Sequence, residues 1–278
     1  MEQRARVVLT SLVFALLTVG VAGAQGLAFT IVDGPYPLLA KLNRLDLGNG
    51  ELTPVGMVGN RATHIAFDSE GSLFSVDYEN DQLLTIDVMS GSGTAVGSLG
   101  LGIYEVMGLT VDGDDRLWMT ARDDVLGSSL YEVDRRTGEA TWIAGIAEQY
   151  FGGLASHDGT VFIAANTLAE VDTTNGTVTP VPGSTLGIWW TRALDFDDLG
   201  ALRGLLLCGP CMVPWDVLIV NPIEPETGTL TGDSLNAPHG TWGLAILRGG
   251  LFLDGFETGD TDAWSVTKPP VQIDRSVD

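Results

Sequence analysis

From Ala62 to Gly100 the chain alternates short apolar runs with clusters of turn residues. The runs are His64–Phe67, Ser72–Val76, Leu83–Val88 and Gly93–Ser98. Between them lie Asp68-Ser69-Glu70-Gly71, then the polar stretch 77–82, then Ser90-Gly91-Ser92. The runs have strand length and are too short for helices, and the polar clusters have the composition that chain reversals need. The stretch predicts an antiparallel meander of four strands in about 40 residues.

The pattern recurs. The third strand of each copy ends in Asp, with a Gly four residues on: Asp46…Gly50, Asp87…Gly91, Asp134…Gly138 and Asp172…Gly176. A strand-end carboxylate accepts hydrogen bonds from the next backbone N–H groups, and Gly supplies the positive φ that closes the turn. A fifth copy is looser, with Asn221 read in place of Asp and a proline-bearing insertion before Thr227-Gly228. First strands align on Ile65, Leu109, Leu154, Leu194 and Leu244, which are 44, 45, 40 and 50 residues apart. Units of this length cannot bury their apolar faces alone and must stack on one another. The expected fold is all-β: a β-propeller of five four-stranded blades, or six if 184–240 hides another. The first blade lacks its first strand, since Leu27–Gly34 reads as a second strand, 38–45 as a third and Leu52–Val58 as a fourth. Thr241–Leu247 supplies the missing strand, so the two ends of the chain share one blade and close the ring.

Residues 1–24 read as a signal peptide. Arg4 and Arg6 precede the apolar run Val7–Val21, and Ala22-Gly23-Ala24 forms a small-residue cleavage site. The propeller is assigned to 25–254 and a tail to 255–278. With no second long apolar run, the mature protein is expected to be without a membrane span, secreted or periplasmic, and monomeric. The chain carries 36 acidic against 14 basic residues, net −22. Such a surface repels phosphate backbones, which excludes nucleic acid as a partner.

Function on a propeller resides in its loops. One end of the ring collects the loops between blades, which carry Arg61, Tyr104, Glu105, Tyr150, Trp189, Trp190, Arg192, His239 and Trp242. Tyr and Trp with interspersed charge can hold a glycan, peptide or protein, and they can equally wedge blades together. His64 aligns with Gly108, Gly153, Ala193 and Gly243 near the axis, where it either meets a ligand or plugs the channel. The other end collects hairpin turns at Asp68, Asp112, His157 and Asp197. Asp112-Gly113-Asp114-Asp115 offers oxygen ligands for calcium but lacks the twelve-residue loop with its terminal Glu, so a turn is the first expectation. No other cofactor, no metal set and no catalytic set is assigned.

Three resemblances add to this. Cys208-Gly209-Pro210-Cys211 resembles the active site of thioredoxin-like oxidoreductases. Here it sits between strands rather than before a helix, so Cys208 and Cys211 read as a local disulfide staple. LLTIDVMSG, LYEVDRRTG and LAEVDTTNG resemble the repeats of quinoprotein-like, YVTN-like bacterial propellers, which implies the fold. Gluconolactonase-like propellers need several convergent acidic metal ligands, and only Glu105 and Asp195 are in prospect. The tail, Asp254-Gly255-Phe256-Glu257-Thr258-Gly259-Asp260 through Trp264-Ser265, resembles an ending found on secreted proteins of Gram-negative bacteria, which implies either a sorting or processing signal or the remnant first strand of a lost sandwich domain. The reading that follows is an exported, non-enzymatic binding scaffold. Its rival is a hydrolase or lyase acting on sugar or lactone through His64, Glu105 or His239.

Overall fold

The computed structural model describes residues 27–32, 39–102, 105–123, 127–146, 152–164, 167–184, 186, 189–208, 218–231, 235–237 and 241–248. The assigned signal peptide and tail lie outside the described residues. Among those described there are 21 strands and no helix, and so none long and apolar enough to cross a membrane.

The strands form five antiparallel sheets. Blade two holds β4 (Ala62–Phe67), β5 (Leu73–Asp77), β6 (Gln82–Ile86) and β7 (Gly93–Ser98). Blade three holds β8 (Glu105–Val111), β9 (Leu117–Asp123), β10 (Gly127–Val133) and β11 (Ala140–Gly145). Blade four holds β12 (Leu154–His157), β13 (Thr160–Ala164), β14 (Leu168–Val171) and β15 (Val178–Pro180). Blade five holds β16 (Trp189–Phe196), β17 (Leu202–Cys208) and β18 (Leu218–Glu224), with an outer strand split into β19 (Thr229–Leu230) and β20 (Leu235–Ala237). Blade one combines β1 (Leu27–Val32), β2 (Lys41–Leu45) and β3 (Leu52–Met57) with β21 (Thr241–Leu247) from the far end of the chain. Phe29 pairs with Ala245 and Thr30 with Leu244, and the Thr30 hydroxyl donates to the Gly243 carbonyl at 2.5 Å. The expected one-plus-three closure is therefore present.

The inner strands β4, β8, β12, β16 and β21 each lie against the next around one axis. Burial follows from that stacking. Every residue of β5, a second strand, is buried, because both faces of its sheet meet a neighbouring blade, whereas the outer strand β7 has only half-buried and exposed positions. The apolar core divides into five clusters, one per blade interface. Phe74, Val76 and Leu83 pack against Leu109, Leu117 and Met119 between blades two and three. Ala193 and Leu205 pack against Ala28, Leu45 and Leu244 across the seam. Each fully buried side chain of this size contributes about 1.5–3 kcal/mol, so the fold's stability resides between blades rather than within them.

The Asp…Gly turns behave as their chemistry dictates. Asp46, Asp87 and Asp134 each accept the N–H groups two and three residues on through Oδ1. Gly91 and Gly138 adopt φ of 77° and 84°. They also abut the outer strand of the preceding blade: a Cβ on Gly91 would stand 2.7 Å from the Gly56 backbone, and one on Gly138 2.6 Å from the Gly97 carbonyl oxygen. The fifth copy corrects the sequence reading. Gly228 N–H donates to the Glu224 carbonyl at 2.6 Å, the same i to i+4 bond that Gly91 makes to Asp87. Glu224, not Asn221, is the equivalent of the strand-end Asp, and there is no insertion. Pro222 lies within β18, opposite Arg203. On the other edge β20 pairs residues 218–220 and β19 pairs 223–224, so the gap in the outer strand falls at Asn221 and Pro222. A proline has no N–H to give an outer partner there.

Candidate functional site

The axis is closed at its middle. Ile65, Leu109, Leu154, Leu194 and Leu244, the five aligned first-strand positions, meet there with His64, Gly153, Ala193 and Gly243, leaving no room for a water molecule. Inner strands approach so closely that a Cβ on Gly153 would stand 2.5 Å from the Leu194 nitrogen. His64 fills the remaining space. Its Nε2 lies 3.2 Å from the Arg192 carbonyl oxygen and its Nδ1 3.2 Å from the Thr63 hydroxyl. A carbonyl can only accept, so Nε2 carries the proton and Nδ1 accepts from Thr63, which satisfies both nitrogens of a neutral imidazole. Burial pushes the His64 pKa down to about 4, against a smaller upward pull from the bond to the Arg192 carbonyl. His64 thus stands within the closed part of the axis, bonded at both nitrogens.

The constriction separates two ends. At the loop end, Arg61 Nη1 lies 3.4 Å from Glu79, and its guanidinium sits 6.0 Å from the centre of the Tyr78 ring. Burial lowers the Arg192 pKa from its usual value, while the negative charge of Glu105 acts in the opposite direction. Tyr104, Tyr150 and His239 lie outside the described residues. Trp189 and Trp190 open β16 and Trp242 lies in β21, though their side chains are outside the described part. Cys208 ends β17 opposite Trp189, and Cys211, with the staple expected between the two, is likewise outside it.

The ladder explains why these positions differ from ordinary strand residues. Register shifts recur at one level of the ring. Thr63 and His64 fall between the pairs Ala62–Asp77 and Ile65–Ser75, and Met107 between Val106–Ala121 and Gly108–Thr120. Arg192 falls between Thr191–Leu206 and Ala193–Leu205, and Trp242 between Thr241–Val32 and Gly243–Ile31. A bulge frees a residue from the strict in–out alternation of a strand and re-aims it. His64, Arg192 and Trp242, all singled out from the sequence, are bulge residues, a shared property that no local sequence signal marks.

At the turn end the carboxylates hold the fold. Oδ1 of Asp68, Asp112 and Asp197 accepts the N–H groups two and four residues on. Oδ2 meets Arg135 at 2.6 Å in the first case, Trp118 Nε1 at 2.8 Å and Arg116 Nε at 3.0 Å in the second, and Arg203 Nη2 at 2.9 Å in the third. Asp112 is thus a turn residue, as first expected. His157 takes the equivalent place in blade four and instead stacks on Phe196, with ring centres 4.6 Å apart and planes at 16°.

Asp195 departs from the repeat, standing where the other blades have Ala66, Thr110, Ala155 and Ala245. It is buried on blade five, yet its Oδ2 accepts the N–H of Ile246 in the closing strand at 2.6 Å. Its Oδ1 accepts Phe196 N–H at 2.8 Å and Arg248 Nη2 at 2.9 Å, and the same Nη2 donates to the Ser156 carbonyl at 2.9 Å. Blades four, five and one are tied together through this one carboxylate. Burial raises the Asp195 pKa, opposed by Arg248 and the two backbone donors. Asp195 lines the turn-end cavity, just past the constriction residue Leu194, whereas Glu105 opens β8 at the loop end. The two carboxylates therefore do not converge on one metal, and no cluster of three His, Cys, Asp or Glu able to hold one occurs among the described residues.

The sequence matches no protein-family model and no curated protein. Among solved structures it is similar to a chain of the nidogen/laminin complex, at 13% identity over 74% of this chain and 76% of that one, TM-score 0.50. It is similar to TolB from Acinetobacter baumannii, at 11% identity over 80% and 67%, TM-score 0.50. A protein of unknown function from Bacteroides thetaiotaomicron aligns at 18% identity over 64% of this chain, TM-score 0.48, and this chain spans about half of its length, 53%. The likeness is one of fold, the β-propeller.

Proposed function

We propose that this chain is an exported binding scaffold that presents the loop end of its ring to a protein, peptide or glycan. Arg61, Glu105 and Arg192 supply charge there, and Tyr104, Tyr150, Trp189, Trp190, His239 and Trp242 are the aromatic candidates that the sequence assigns to the same loops. The observation that carries this reading is the state of His64. A general acid or base needs a free nitrogen and a pKa near the working pH, whereas this imidazole is neutral, buried and bonded at both nitrogens. That argues against the sugar or lactone hydrolase or lyase reading built on His64. Bulges concentrated at this level of the ring favour recognition, because a bulge frees a residue from the in–out alternation of the ladder.

The test is a glycan and peptide array probed with the chain lacking residues 1–24, alongside Arg61→Ala and Arg192→Ala. Binding that weakens about tenfold or more (roughly 1.4 kcal/mol) in either variant supports the scaffold. Turnover of a lactone or glycoside that is lost in His64→Gln overturns it.

A further inference from the structure

The geometry points to a second binding site, at the turn end of the axis, for a small neutral polyol such as a monosaccharide ring. The cavity there encloses about 350 Å³, at the small end of ligand pockets, which start at roughly 300 Å³. The dry constriction forms its floor, so the loop end and this end cannot share a ligand.

Its walls pair one aliphatic side with one set of fixed donors. Leu109, Val111, Leu244 and Ile246 offer a surface for C–H groups. Arg248 is held by Asp195 and the Ser156 carbonyl through Nη2, with its guanidinium 5.9 Å from the centre of the Phe196 ring. Nε and Nη1 make no bond among the described residues, and 39% of the side chain remains exposed. The result is a guanidinium with one edge fixed and one edge open to a ligand acceptor. His157, stacked on the same Phe196 ring, adds a second polar group to the lining.

Charge selects the ligand class. An anion would meet Arg248, but that cation is already paired with Asp195, and Asp68, Asp112 and Asp158 line the same cavity. A cation would have to sit beside a fixed guanidinium, while Asp68, Asp112 and Asp195 have their oxygens committed to N–H donors. A hydroxyl needs no net charge. It accepts from Arg248, donates to the exposed Asp158, and leaves the ring's C–H face for the aliphatic wall.

Isothermal titration of the protein with D-glucose, D-mannose and myo-inositol tests this, with D-glucuronate and D-glucosamine as charged versions of the same ring. At least one neutral ring should bind about tenfold or more tightly than either charged ring. Gly113→Trp should weaken that binding about tenfold or more, since a Cβ on Gly113 meets nothing within 4 Å and the indole is placed at the cavity rim. His157→Leu should weaken it to a smaller degree, and Arg192→Ala, at the loop end, should leave it unchanged. That last variant separates this site from the proposed partner face. Failure of every neutral ring to bind, preference for a charged ring, or undiminished binding by Gly113→Trp overturns the proposal.

Discussion

The two ends of the ring are built from the same repeat and use it in opposite ways. At the turn end the repeat is kept: Asp68, Asp112 and Asp197 close equivalent turns with equivalent bonds, and Gly91 and Gly138 dock against the neighbouring blade. At the loop end the ladder is broken in four of the five blades, with Thr63-His64, Met107, Arg192 and Trp242 at corresponding bulges and β12 of blade four in unbroken register. One end is conserved within the chain because five blades face one packing problem. The other is free to vary because its bulged residues make no demand on the ladder. Stability is therefore expected to depend on the turn end, and recognition of the proposed partner on the loop end.

The largest effect should come from Asp195→Ala. Removing it strands Arg248 and the Ile246 N–H and unties the closing strand. Breaking a fully buried pair costs about 3–5 kcal/mol, and with Arg248 39% exposed the loss should fall at the lower end, about 3 kcal/mol. Urea unfolding checks it, with Glu105→Ala at the loop end as the contrast, expected to stay within about 1 kcal/mol.

His64 sharpens the boundary between the two ends. Its folded pKa of about 4 lies below the unfolded value of 6.5, so between these values the unfolded chain binds more protons. Stability is full above pH 6.5 and falls as the pH drops toward 4, by about 3 kcal/mol in total. In His64→Gln this part of the slope should vanish from urea midpoints measured across that range.

Gly91→Ala combines a left-handed φ with a clash against the Gly56 backbone and should cost about 2 kcal/mol or more. Arg61→Ala, on the recognising end, should move the unfolding midpoint least, by under about 1 kcal/mol, because its pairing with Glu79 is partly exposed.

Much of this was legible in the sequence, for physical reasons. Ile65, Leu109, Leu154, Leu194 and Leu244 fell into register because one position in each inner strand must face the axis. The Asp…Gly turns were readable because a carboxylate and a positive φ leave few other residues possible. Blade five misled at Asn221, because Pro222 reads as a strand breaker unless the gap between β19 and β20 is known. The bulges were invisible, since a two-against-one count exists only once two strands are paired. Asp195 read only as a stray acidic candidate beside Glu105, because its partners Ile246 and Arg248 lie 51 and 53 residues further on, which no local pattern connects. Nothing in local sequence connected His64 to the Arg192 carbonyl that it bonds, which lies 128 residues along the chain.

The central claim is a ring sealed by β21 against β1 and tied there by Asp195. Native-state hydrogen exchange of the Ala245 and Ile246 amides tests it most directly. A sealed ring predicts that they exchange with the slowest amides of β4 and β8, and that Asp195→Ala releases them selectively. Exchange as fast as a frayed chain end in the unaltered protein would contradict it.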